Sequence, residues 1–216
     1  MPIPSKSSIS QLPSGSLLLG AFTLFTILSA HFDFKLLGVV ELLKPYLRGD
    51  AYYLFRIWGS LWTWIAITIF LLAGHRAGQS PKGDKSKTVS ASLVAARILI
   101  SAALSGLLAE LLKLIVRRER PAGLEHYVFR NITDHTWSTS GLGLPSSHAA
   151  VAFGGSFALI ALFPQLRWPA LLMATGCVIT RVAMGAHYPS DVLAGAWVGW
   201  LSSYLTTTYL KQQPTP

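Results

Sequence analysis

The sequence is short of charge. Asp, Glu, Lys and Arg make up 12% of its 216 residues, about half of the roughly 25% usual in a soluble domain, which excludes an ordinary water-exposed surface over most of the chain. Acidic residues are scarcer still, nine against eighteen Lys plus Arg, for a net charge of +9. That balance raises nucleic acid as a partner. The cations are scattered between apolar runs, however, so no soluble basic face can be drawn and nucleic acid is not expected. An anionic ligand or lipid headgroups account for the charge better. With Cys177 the single cysteine, no intrachain disulfide can form, and cysteine usage carries no information on redox compartment. Internal repeats and low-complexity tracts are also missing.

What is present is apolar: 51% hydrophobic residues and a mean hydropathy of +0.46. A helix needs roughly 20 mostly apolar residues to cross the hydrocarbon core. Six runs qualify, at about 16–32, 52–74, 89–112, 147–163, 168–187 and 190–210, which predicts an all-α, polytopic, six-transmembrane-helix bundle forming one domain over residues 1–216. Arg97 is the one charge well inside a run, expected to snorkel or to face the bundle. Trp58, Trp62, Trp64, Trp168, Trp197 and Trp200 lie in or beside the runs, and some are expected at interface depth. Gly195 and Gly199 have the small-xxx-small spacing that lets helices approach. The first run has a single lysine before it and no A-x-A site after it, which favours a retained helix over a cleaved signal peptide.

The connections differ in character. Residues 75–88 form a polar basic loop and 164–167 a tight one, while 33–51 reads as an amphipathic interfacial helix. With six helices, the long 114–146 connection and the short 188–190 turn fall on one side of the membrane. Setting aside Lys113, Arg120 and Arg181 as ligand-binding residues leaves seven Lys and Arg on each side, so the positive-inside rule assigns no orientation.

Three clusters carry chemistry on that shared side. In K-L-I-V-R-R-E-R-P, Lys113 precedes Arg120 and Pro121. A basic helix flank is common, but four cations within eight residues repel one another unless an anion compensates. Glu110 stands one helical turn before Lys113 and can hold it. In G-L-G-L-P-S-S-H, residues 141–148, Ser146 or Ser147 can cap the fourth helix, whose N-terminal N–H groups make an anion site; an ordinary cap with an interfacial His148 is the plainer alternative. In T-R-V-A-M-G-A-H-Y-P-S-D, residues 180–191, Arg181 sits in an apolar helix, where a charge costs roughly 2.5–3.5 kcal/mol, so it should face a polar interior. His187 and Asp191 flank a turn at Tyr188-Pro189, a spacing that lets the carboxylate fix the imidazole tautomer and leave the other ring nitrogen free. Two histidines and a carboxylate could bind a divalent metal. Three cations beside them would repel it and favour an oxyanion such as phosphate, so neither metal nor cofactor is expected.

These clusters resemble the type 2 phosphatidic acid phosphatase superfamily, whose pattern is K-x6-R-P, then P-S-G-H, then S-R-x5-H-x3-D. The matching stretches are Lys113 to Pro121, Pro145 to His148 and Thr180 to Asp191, in the same order and with the same internal spacings. Ser147 stands where the family has glycine, and Thr180 where it has serine. The resemblance implies that His187 attacks phosphorus to form a phosphohistidine, with Asp191 orienting it. His148 would protonate the leaving oxygen and later activate water. Lys113, Arg120, Arg181 and the Ser146–Ser147 backbone would hold the phosphoryl oxygens, without metal. It further implies a lipid phosphate or lipid pyrophosphate substrate and an integral protein of the cell membrane, its site on the extracytoplasmic side. A phosphotransferase using the same site and an anion transporter lined by the arginines are the alternatives. Six apolar spans argue against the soluble haloperoxidase branch of the superfamily. Residues 122–140, with Tyr127, Phe129 and Trp137, are expected to lie along the extracytoplasmic interface and shape the entrance for the lipid.

Overall fold

A computed structural model of the chain describes residues 15–77, 85–121 and 126–211. Apolar runs have to satisfy their own backbone groups in a bilayer, and the helix does this within one segment. Eight α-helices follow among the described residues: α1 Gly15–His31, α2 Asp33–Glu41, α3 Asp50–Trp58, α4 Leu61–Ala77, α5 Lys85–Val116, α6 Ser147–Leu162, α7 Arg167–Ala183 and α8 Pro189–Lys211. A 3-10 turn, Pro164–Leu166, makes the tight connection before α7. Most of the polar basic loop expected at 75–88 lies outside the described residues or within the ends of α4 and α5.

α6 is the centre of the bundle and packs on α5, α7 and α8. Its small residues make that possible. A Cβ on Gly195 would lie 2.4 Å from the Ser146 carbonyl oxygen, and one on Gly199 2.6 Å from the Gly154 nitrogen, so the Gly195/Gly199 spacing does serve close packing of α8 on α6. Trp64 is fully buried in the core with Ile98, Ala102 and Ala158, its indole N–H donating to the Trp58 carbonyl at 3.1 Å. Trp64 is therefore a core residue, whereas Trp62 and Trp168 stay largely exposed, as interfacial or lipid-facing tryptophans do. Arg97 faces the bundle, donating from Nη2 to the Leu210 carbonyl at 3.0 Å, which satisfies an end carbonyl of α8.

The spans depart from the hydropathy reading in three ways. The run at 52–74 is bent by 72° between α3 and α4, and Gly59 at the bend packs closely on the neighbouring elements: a Cβ there would lie 2.8 Å from both Cys177 Sγ and the His148 carbonyl. The run at 16–32 continues into α2 through a 66° bend, and α2 ends at Glu41 with turns beyond it in place of a long interfacial helix. The run at 168–187 is helical only to Ala183, which leaves His187 in the connection to α8. One helix, within Ala91–Val116, is long and apolar enough to cross a membrane unaided, rising to three spans if each bent pair counts as one. The architecture is helical and membrane-embedded.

Candidate active site

The long connection after α5 joins the first two clusters by backbone pairing. Arg118 bridges to Phe129 and Glu119 to Leu142. Around them Glu119 N–H donates to the Val128 carbonyl (2.8 Å), Arg120 N–H to Gly141 (2.9 Å) and Gly143 N–H to Arg118 (2.7 Å). Residues 117–120 are thus held between 128–130 and 141–143. Arg117 locks the far side of the connection, its guanidinium donating to the carbonyls of Arg130, Asn131, Asp134 and Thr136. The third cluster is tied in by Ser146 N–H, which donates to the Asp191 carbonyl at 2.9 Å. Gly143 comes so close to Asp191 that a Cβ would lie 2.7 Å from Oδ2, which accounts for a glycine there.

Each site residue read from the sequence falls in this assembly. Ser146 is the N-cap of α6, its hydroxyl accepting from Ala149 N–H at 3.5 Å. The Ser147 hydroxyl points elsewhere: it donates to Glu110 and accepts from Lys113 Nζ. Lys113 is buried and donates to Glu110 Oε1 at 2.7 Å, the partner that the helical spacing anticipated. His148 is half-buried and lies within the fields of Arg181, His187 and Lys113. Arg120 is exposed at the rim and donates from Nε to the Leu142 carbonyl at 3.4 Å.

The His187 ring is buried between α7 and α8, outside both helices. Its Nδ1 faces Asp191 Oδ2 at 3.6 Å and makes no hydrogen bond; such catalytic contacts are commonly long before substrate tightens them. Burial pushes the imidazole below its ordinary range while Asp191 opposes that shift, which favours the neutral ring near pH 7. Arg181, in the last turn of α7, is 6% exposed. Its Nε is buried without a partner, and no hydrogen bond or ion pair meets its guanidinium among the described residues. A buried cation without a counter-ion is expensive, and this one sits beside the His187 imidazole.

Sequence reasoning missed a second layer. Arg118, counted there as part of a basic flank, is buried and ion-paired to Asp191, with Nε–Oδ1 at 3.2 Å and a shorter contact from Nη2. It lies over the rings of Tyr127 and Tyr188, at 4.8 and 5.2 Å from their centroids. Asp33, the first residue of α2, is fully buried against the same group. Tyr127 turns inward, its hydroxyl 2.6 Å from the Ala30 carbonyl and 3.0 Å from Asp33 Oδ2, so it is no part of an interfacial face. Burial and the Asp33 carboxylate raise the phenol further above its ordinary range, which keeps it a proton donor. Phe129 and Trp137 are exposed as expected, with Ile132 beside them.

Comparison with known proteins places the chain in a family. The PAP2 superfamily model matches residues 94–214. A lipid A 1-phosphatase of Rhizobium etli is 35% identical over 158 residues, covering 70% of this chain and 67% of the relative. An undecaprenyl-diphosphatase of Sulfolobus acidocaldarius is 25% identical over 159 residues, with the same coverage of each chain. The fold is also that of the crystal structure of the first transmembrane PAP2 type phosphatidylglycerolphosphate phosphatase from Bacillus subtilis, at a TM-score of 0.56 and 20% identity, over 90% of this chain and 96% of that one. With the family's three motifs folded into one site and its model matched over more than half of the sequence, the chain belongs to the PAP2 superfamily.

Proposed function

We propose that the protein is a membrane phosphatase that removes the terminal phosphate of a lipid phosphate or lipid pyrophosphate through a phosphohistidine on His187, without metal. The observation that carries the reading is Arg181: a buried guanidinium with no counter-ion among the described residues, beside a histidine–carboxylate pair and the N-terminus of α6. Helix N-termini and unpaired cations suit a phosphoryl group. The lipid substrates named for the relatives support the substrate class. The family resemblance supports six spans, with α1–α2 and α3–α4 each counted once, in the cell membrane with the site on the extracytoplasmic face.

The roles follow from the positions. His187 Nε2, free because Nδ1 faces Asp191, attacks phosphorus, and a P–N bond forms as the bond to the leaving oxygen breaks. His148 gives that oxygen its proton. A water then attacks phosphorus, returns a proton to His148 and releases inorganic phosphate with His187 regenerated. Lys113, Arg120, Arg181 and the N–H groups after Ser146 balance the charge on the equatorial oxygens, and such positioning and charge stabilisation dominate phosphoryl transfer. Transfer to a lipid or sugar acceptor would use the same first step.

Purified protein in detergent, screened for phosphate release from lipid A 1-phosphate, phosphatidylglycerophosphate and undecaprenyl pyrophosphate in EDTA, tests the reading. Turnover should persist in EDTA, be inhibited by vanadate, which mimics five-coordinate phosphorus, and vanish in His187→Ala. Complete loss in EDTA with rescue by a divalent ion would return the two-histidine, one-carboxylate metal site to first place.

A further inference from the structure

We propose that Asp33 is a positioning residue for the His187–Asp191 pair, acting through Ser190 and Arg118; the inference rests on the phosphohistidine reading above. Asp33 lies outside the 94–214 stretch matched by the family model and reaches the site from the bent α1–α2 segment. Burial drives a carboxylate toward its neutral form and donors oppose that; Asp33 is fully buried and has several donors. Ser190 N–H donates to Oδ1 at 2.7 Å, the Ser190 hydroxyl donates to Oδ2, and the Tyr127 hydroxyl lies 3.0 Å from the same oxygen. Arg118 Nη1 is 3.7 Å away.

Two consequences follow for Asp191, the next residue in the chain. First, Ser190 is in the opening turn of α8, so Asp33 supplies from another helix the acceptor that a capping side chain would provide. That fixes the backbone from which the Asp191 carboxylate projects, and Asp191 Oδ2 is then set by Tyr188 N–H at 2.8 Å. Second, Asp33 shares the cation. Arg118 Nη2 donates both to the Ser190 hydroxyl, at 2.7 Å, and to Asp191 Oδ1. One guanidinium thus serves two buried carboxylates, which leaves Asp191 enough negative charge to act on His187. Without Asp33, Arg118 would neutralise Asp191 alone.

The charged groups acting on His187 are Asp191 from α8, Arg181 from α7 and Arg120 from the connection, with His148 of α6 also coupled to it; Arg118, Asp33 and Lys113 act on it through Asp191. Neutralising Asp33 makes this set more positive, which disfavours the imidazolium. The acid limb of the pH–rate profile, set by formation of neutral His187, must therefore move down in pH.

The test is Asp33→Asn, assayed on a short-chain phosphate ester in detergent beside wild type and His187→Ala. The expected result is a kcat lower by about ten- to a hundredfold, the usual range for outer partners of a reactive group, with KM little changed. The acid limb should fall by about half a pH unit or more. Ser190→Ala, which removes the hydroxyl shared by Asp33 and Arg118, should move the limb the same way by less, and decides the matter if Asp33→Asn does not fold. A lower rate with an unmoved limb, or an unchanged kcat, overturns the role for Asp33. Activity surviving in His187→Ala would instead overturn the reading on which it rests.

Discussion

Replacing Arg181 by methionine should make the protein more stable and nearly inactive. The guanidinium is buried in the last turn of an apolar helix without a counter-ion among the described residues, so the folded state bears a desolvation penalty that no ion pair there offsets. Methionine keeps the length and removes the charge. Insertion scales put the penalty at roughly 2.5–3.5 kcal/mol at mid-helix. Arg181 is near the helix C-terminus, where the dipole returns about 0.3–1 kcal/mol, and depth there is shallower. A net gain of about 1 kcal/mol is therefore expected, or about 2–4 °C in apparent Tm for a chain of this size.

The loss of function is larger. Two charge-assisted hydrogen bonds to a phosphoryl group, at about 1.5–3 kcal/mol each, amount to roughly 3–6 kcal/mol, which lowers kcat/KM by about two to four powers of ten. Thermal unfolding in detergent with and without vanadate reads both halves. Vanadate at about a hundred times its Kd adds about 2.7 kcal/mol to the wild type, and that ligand-dependent rise should all but disappear in Arg181→Met. A variant less stable than wild type that still responds to vanadate would refute the reasoning, since Arg181 would then have a structural partner and no part in holding phosphate.

Glu110→Gln should lower KM for a short-chain phosphate ester by about two- to fivefold, because a half-exposed carboxylate beside Lys113 repels the substrate dianion by about 0.5–1 kcal/mol after solvent screening; steady-state kinetics at low salt read this, and a higher KM would show that Glu110 aids binding by holding Lys113. Ser147→Gly, which restores the family residue and breaks the contacts of that hydroxyl with Glu110 and Lys113, should keep turnover within about threefold, since the backbone N–H survives; a fall of about a hundredfold would make the hydroxyl part of the phosphate cradle. Replacing exposed Phe129, Ile132 and Trp137 together by alanine should reduce activity on a long-chain lipid phosphate several-fold more than on a short soluble ester, given the affinity of such side chains for the interface. An equal fall on both substrates would deny the connection a role in lipid entry.

The three motifs were legible because each is local: a fixed spacing on one helix or turn states its chemistry without knowledge of the rest. Lys113 with Glu110 is a helical neighbour pair, and His187 with Asp191 spans a single turn. Asp33 was not legible, because its partner Ser190 is 157 residues away and nothing in its own neighbourhood distinguishes it from an interfacial acid. Arg118 was hidden differently, inside a run of cations where spacing alone does not say which one turns inward. The pairing of residues 117–120 with 128–130 and 141–143 makes that choice. Tyr127 was misplaced for the same reason, since an amphipathic side chain suits both an interface and a buried carboxylate. Hydropathy found the apolar runs but is blind to direction: averaging over 52–74 cannot register the elbow at Gly59, where Cys177 and His148 come close.

That inward turn of Arg118 bears on which phosphate the site suits. Five cations act at the site, Lys113, Arg118, Arg120, Arg181 and Arg56, and the carboxylates among the described residues there are Glu110, Asp33 and Asp191. Lys113 is matched by Glu110, and Arg118 by Asp33 and Asp191 together. Asp191 is drawn on again by His187, which is neutral until it reacts. Arg181, Arg120 and Arg56 are left without an ion pair among the described residues, Arg181 at the buried end of the site and Arg120 at its rim. More than one unmatched positive charge complements a terminal phosphate monoester, which carries about −1.5 to −2 at neutral pH, and exceeds what a singly charged diester needs. The same arrangement therefore favours a terminal phosphate at the end of a headgroup over a phosphodiester within one. It also explains why Asp33 matters to a reaction it does not touch: by helping Asp191 to occupy Arg118, it keeps that guanidinium out of the charge available to substrate.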